Sequence, residues 1–235
     1  SDYRADGIGY YFFSSNKSLN RETIVQTYST ITGKSKFILP DGSEVWLISH
    51  SKLEYKNLHA DMREVELKGE AFFKVQHDER PFIVKTSDIA VKVHGTQFNV
   101  SAYHADEKSV VSLYEGSVSM HVLGDDSSNC YLKPGEEGSL DKKDKTIRVE
   151  KGDVEFAKMW TNEKVKLENK NLHEVCKYLS KWYNVKIIID PALSDDQSYT
   201  FTLHDQSLED IIRIMSNISS INYHFTEDNT LMITL

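Results

Sequence analysis

Residues 65–103 read VELKGEAFFKVQHDERPFIVKTSDIAVKVHGTQFNVSAY, and this stretch decides the fold. Val65 and Leu67, then Ile89, Val91 and Val93, then Phe98, Val100 and Ala102 place an apolar side chain at every second position. A period of two belongs to strands with one buried face. Gly69 and Gly95 interrupt the runs where a bulge or sharp bend needs a residue without a Cβ. The stretch predicts a stack of short strands.

On its N-terminal side, Pro40-Asp41-Gly42-Ser43 supplies a preset φ and then a residue tolerant of the left-handed region, which predicts a hairpin between strands at 27–39 and 45–47. Leu53 and Tyr55 begin another strand, followed by a polar loop to Arg63. On its C-terminal side, Val111 and Leu113 alternate, Glu115-Gly116 turns the chain, and Val118, Met120 and Val122 alternate again, as in a second hairpin. Residues 124–129 read as a polar loop, Tyr131-Leu132 as a short strand, 133–136 as a turn, and Ile147 with Val149 as a last strand. Residues 27–152 are thus expected to be an all-β domain, a β-helical or sandwich-like stack of short strands. Residues 1–26, polar around Tyr10, Tyr11, Phe12 and Phe13, read as a leader.

The pattern changes after Gly152. Asn171 with Glu174 forms a capping-box start, and Leu172, Val175, Cys176, Leu179 and Trp182 share one helical face. Ser207 with Asp210 repeats the start, while Leu208, Ile211, Ile212, Met215 and Ile218 repeat the face. A shift of 36 residues superposes the two patterns, with Val185, Ile187 and Ile189 falling on Ile221, Tyr223 and Phe225. Val165 and Leu167 open the first unit, Phe201 and Leu203 open the second, and Leu231 with Ile233 close the chain. Residues 153–235 are therefore expected to form a small α/β domain of two βαβ repeats, with both helices on one face of a sheet.

Composition narrows the function. The 235 residues carry a net charge of −8 and no sustained Lys/Arg block, which argues against a nucleic-acid footprint. The densest cations, Lys142, Lys143 and Lys145, are interrupted by Asp141 and Asp144 and read as a solvated turn. No apolar run approaches the roughly 20 residues of a membrane helix. The chain begins without Met or a signal-peptide pattern, as an engineered cut would. Two distant cysteines, Cys130 and Cys176, exclude a disulfide scaffold and leave one bridge or two free thiols open, with Cys176 expected as a buried thiol.

Catalytic chemistry lacks a constellation. No two of the nine histidines lie closer than nine residues, so the local pairs that hold metals are missing and no metal or cofactor is expected. There is no GxSxG, and neither cysteine has a neighbouring His. Glu66, Glu70 and Asp78 read as ordinary surface or ion-pair carboxylates, with Arg63 or Arg80 as the partner of Glu70. Gly135-Glu136-Glu137-Gly138 puts negative charge where a phosphate would sit. Trp46 and Trp182 are expected in cores and Trp160 at the junction of the two domains.

Several motifs in one order carry a resemblance. KGEAFF, RPFIVKT and HGTQFNVSAY, preceded by LPDGSEVWLISHSKLEY and followed by LKPGEEGSL, resemble the periplasmic region of FecR-like transmembrane anti-sigma factors of the Bacteroidetes type. The duplicated C-terminal part is similar to the short domain shared by secretins and the N-terminal extensions of TonB-dependent receptors. The resemblance implies a periplasmic piece of a single-pass inner-membrane protein. Its partners would be a receptor's N-terminal signalling domain and, through a missing cytoplasmic domain, an extracytoplasmic-function sigma factor. Exposed sheet edges would recruit the receptor by main-chain pairing, at Val165 and Leu167, at Tyr199, Phe201 and Leu203, or at Leu231 and Ile233. A rival reading, a glycan-binding module without catalysis, requires an exposed aromatic platform.

Overall fold

The computed structural model describes residues 25–31, 34–56, 61–194, 196–204 and 206–235. The aromatic patch expected at Tyr10 to Phe13 lies outside them. Thirteen strands run in chain order from β1 (Val25–Thr30), β2 (Lys34–Ile38), β3 (Glu44–Ile48) and β4 (Ser51–Lys56) to β5 (Arg63–Lys74), β6 (Phe82–Lys85) and β7 (Ile89–Val93). They continue as β8 (Gln97–Ala102), β9 (Lys108–Glu115), β10 (Val118–Val122), β11 (Asp125–Leu132), β12 (Glu136–Asp141) and β13 (Thr146–Lys151).

The long strand β5 organises them. Its first half pairs with β4 and β6, and that layer extends through β1 on one side and β7, β10 and β11 on the other. Its second half pairs with β3 and β8, and this layer extends through β2 and through β9, β12 and β13. The bend falls at Gly69, whose φ is +98° and where an added Cβ would stand 2.2 to 2.9 Å from Ser51. Only glycine serves a left-handed backbone pressed against a neighbouring strand. Val65 and Leu67 from one half of β5 and Ala71 and Phe73 from the other enter one core. Phe73 stacks on Phe98 with ring centroids 5.1 Å apart and meets Phe82 of the opposite layer edge-on at 6.1 Å. The arrangement is sandwich-like, with packed layers whose inward residues interdigitate, and not a β-helix.

Three expectations are corrected here. The run at 27–39 is two strands in different layers, and only β2 forms the hairpin with β3. Strands β9 and β10 flank the Glu115-Gly116 turn but do not pair, because Gly116, at φ +94°, carries the chain from one layer to the other. The true hairpin is β10 with β11, and residues 125–129, expected as loop, belong to that strand.

Buried charge also departs from expectation. Arg63, 1% exposed, ion-pairs with Asp41 at 2.8 Å and donates to the carbonyls of Gln76 and Arg80, so its partner is the hairpin turn and not Glu70. Arg80 pairs with Asp78, whose carboxyl it holds far below the usual range through side-chain and backbone hydrogen bonds.

The C-terminal α/β region begins with a short helix α1 (Val154–Lys158) and a 3-10 turn, Met159–Thr161. It continues with β14 (Val165–Lys170), α2 (Leu172–Tyr183), β15 (Ile187–Ile189), β16 (Tyr199–Leu203), α3 (Leu208–Ile218), β17 (Asn222–Phe225) and β18 (Leu231–Thr234). Both caps form as the sequence suggests: Asn171 Oδ1 accepts from the Glu174 amide at 2.8 Å, and Ser207 Oγ accepts from the Asp210 amide at 3.1 Å. The order β-α-β occurs twice, yet the strands do not make one sheet. Instead β14 pairs with β16, while β18 lies between β15 and β17. Helix α2 touches a strand of each small sheet, and Val175, Leu179, Ile212 and Met215 share a core with Leu167, Leu203, Leu231 and Ile233.

That core extends onto the outer face of the β layers. Trp46, Ile48 and Phe72 pack with Met159 and Trp160, and Trp160, 2% exposed, stacks on Trp182 at 5.9 Å. Trp160 thus sits where the β-rich and α/β regions meet, as its sequence position suggests. Lys181 of α2 reaches Glu70 of β5 at 2.7 Å, and Asn99 Nδ2 donates to the same carboxylate oxygen at 2.8 Å. Lys34 of β2 donates to the Trp160 carbonyl at 3.1 Å and lies over the Trp182 ring.

Candidate functional site

Among the described residues no three His, Cys, Asp or Glu side chains converge as metal ligands, and no helix is long and apolar enough to cross a membrane. Cys130 and Cys176 are not joined in a disulfide, and the second is buried on α2. In the α/β region, the surface features with binding character lie on strand edges and a helix face.

The proposed edge residues fall into two groups. Val165, Leu167, Tyr199 and Leu203 turn their side chains into the core, with Phe201 partly buried beside them. Strands β14 and β16 pair with each other and keep one edge each for another strand. Leu231 and Ile233 lie on β18, whose two edges are already taken by β15 and β17. As an edge that expectation is corrected: a strand in the middle of a sheet has no unpaired main-chain groups to offer.

A groove of about 170 Å³ separates β16 from α3. Five consecutive residues, Ser198 to Thr202, line one wall, and a strand presents consecutive residues to a groove only along its edge. Ile211, Ile214, Met215 and Ile218 of α3 line the other. Ile214 and Ile218 are 54% and 67% exposed, so α3 carries a second apolar stripe besides its core face. Ile218 was expected on the buried face and stands outside it. The signal was in the sequence: five apolar residues within Leu208–Ile218 after Leu208 itself span more of the helix than one core-facing stripe requires. At the end of the groove, Tyr183 Oη donates to the Gln206 carbonyl at 2.6 Å, and burial pushes its phenol pKa up. Arg213 and Asp210 form an exposed pair at 2.6 Å on the same helix. An extended segment added to β16 would continue the two-stranded sheet and cover Ile214 and Ile218 with its own side chains.

Residues 26–119 match the family model of the FecR protein, and residues 164–233 match that of the FecR C-terminal region. The chain belongs to the FecR family of anti-sigma factors. Two crystal structures, at 2.50 and 1.65 Å, of a protein from Parabacteroides distasonis ATCC 8503 assigned as an anti-sigma factor are similar to this FecR-like chain. Each has 29% sequence identity and a TM-score of 0.64, and the match covers 89% of this chain and 98% of that one. Among curated proteins none matches. The family implies a sigma factor as a partner.

Proposed function

We propose that this chain is the periplasmic, signal-receiving region of a membrane-anchored FecR-like anti-sigma factor. It binds the N-terminal signalling domain of a TonB-dependent outer-membrane receptor and relays that contact to an extracytoplasmic-function sigma factor, regulating transcription of uptake genes. Residues 27–152 and 153–235 act as the two modules of this region, the second being a secretin/TonB short N-terminal-like domain. Its role is regulatory and not catalytic.

One observation carries the reading: the open edge of β16 runs beside an apolar stripe, Ile214 and Ile218, that the chain's own core does not use. Main-chain pairing along the edge supplies affinity, and the isoleucines supply selection among partner strands. Burial of each isoleucine would contribute up to about 2 kcal/mol. Titration calorimetry of this chain with the cognate receptor's N-terminal domain tests it. Saturable heat and co-elution are expected, and Ile214→Asp with Ile218→Asp should weaken the affinity at least about tenfold. Absence of both heat and co-elution defeats the proposal, and undiminished binding by the double variant removes β16 as the docking edge.

A further inference from the structure

The outer face of the first β layer treats its lysines unevenly. Lys52 pairs with Glu54 at 2.6 Å, Lys56 pairs with Glu66, and Lys85 pairs with Glu64 at 2.8 Å. Lys92 of β7, on the same face, has no carboxylate partner among the described residues. It borders an open cavity of about 470 Å³ whose lining includes His94, Ser119, His121, Asn129 and Tyr131 and no acidic residue. In a chain of net charge −8, Lys92 puts one ammonium on this shelf, and Asp125, beside His121, lies outside its lining.

The register orders these groups. Ser119 lies directly between Lys92 on β7 and Tyr131 on β11, so the Lys92 and Tyr131 backbones flank the Ser119 hydroxyl two strand spacings apart. Two spacings are roughly 10 Å, about the length of a disaccharide. Tyr131 is 72% exposed, the most exposed aromatic ring among the described residues. Its hydroxyl accepts from Asn129 Nδ2 at 3.2 Å, and Asn129 Oδ1 accepts from Ser119 Oγ at 2.6 Å, which ties the ring to the strand below it. An exposed ring offers a sugar an apolar platform, amide and hydroxyl groups match its hydroxyls, and an unpaired cation matches a carboxylate.

We infer that this shelf binds an acidic saccharide, a uronate-bearing disaccharide unit lying across β7, β10 and β11. The inference stands apart from the β16 groove, which belongs to a different region of the chain. The test is calorimetry of the full chain with digalacturonate, with galactobiose as its neutral counterpart and with inorganic sulfate. Digalacturonate should bind saturably, and the neutral sugar and sulfate each at least about tenfold more weakly. Tyr131→Ala and Lys92→Gln should each weaken digalacturonate at least about tenfold while leaving the thermal midpoint unchanged, since both side chains are exposed. No binding of digalacturonate, equal binding of galactobiose or of sulfate, or full affinity in either variant overturns the inference.

Discussion

Lys181→Met tests what holds the α/β region to the β layers. The Glu70 side chain is 5% exposed and its carboxylate meets Lys181 at 2.7 Å and Asn99 at 2.8 Å. Methionine keeps the apolar reach of lysine over Phe156 and Trp160 but removes the ammonium, leaving the buried carboxylate with the Asn99 amide. Breaking a fully buried pair costs about 3–5 kcal/mol. Because the Lys181 side chain is 21% exposed, water relieves part of that loss, and about 2–3 kcal/mol is expected. Adding Glu70→Gln neutralises the stranded charge, so the double variant should return to within about 1 kcal/mol of wild type. Urea unfolding followed by tryptophan fluorescence is the assay, since Trp160 and Trp182 stack at the same junction and report its opening. A loss below about 0.5 kcal/mol in the single variant, or additive losses in the double, would refute a role for the ion pair in joining the regions.

Other outcomes follow from buried geometry. Gly69→Ala places a Cβ within 2.2 to 2.9 Å of Ser51 at φ +98°, and should lower unfolding free energy by at least about 3 kcal/mol in denaturant titration. Arg63→Met strands the Asp41 carboxylate, 3% exposed, and should cost about 3–5 kcal/mol, whereas Arg80→Met on an exposed pair should change the urea midpoint little. Burial pushes the Tyr103 phenol up to about 12, while its hydroxyl donates to the Ser49 carbonyl at 2.9 Å. A phenol whose folded pKa lies above its unfolded value of about 10 stabilises the fold at lower pH and ceases to do so as pH rises. Stability should therefore fall between about pH 10 and 12, and Tyr103→Phe should flatten that fall in pH-dependent unfolding.

Periodicity made much of this architecture readable. The alternation in β5, β7 and β8 and the two caps depend on local spacing, and Trp160 at the junction follows from its place between two patterns. Pairing was harder to read, because a Gly turn such as Glu115-Gly116 reads the same whether the next strand returns beside its neighbour or crosses to the facing layer. Residues 125–129 are polar because β11 ends the layer, and an outer strand with one wet side shows little apolar alternation. The Glu70 partner was out of reach for another reason: Lys181 sits on a helix that only tertiary packing brings to β5. Of the expected edges, β18 was misplaced because the repeat places two copies on one sheet and does not tell that the closing strand inserts between their last strands, β15 and β17.

That pairing pattern has a practical corollary. The first strands of the two 36-residue copies, β14 and β16, pair with each other, while their last strands, β15 and β17, flank the closing strand β18 on either side. Severed in the linker before β16, neither piece retains a complete sheet. Fragments ending and starting at that linker should regain structure only when mixed, which makes the region a natural template for split-reporter engineering.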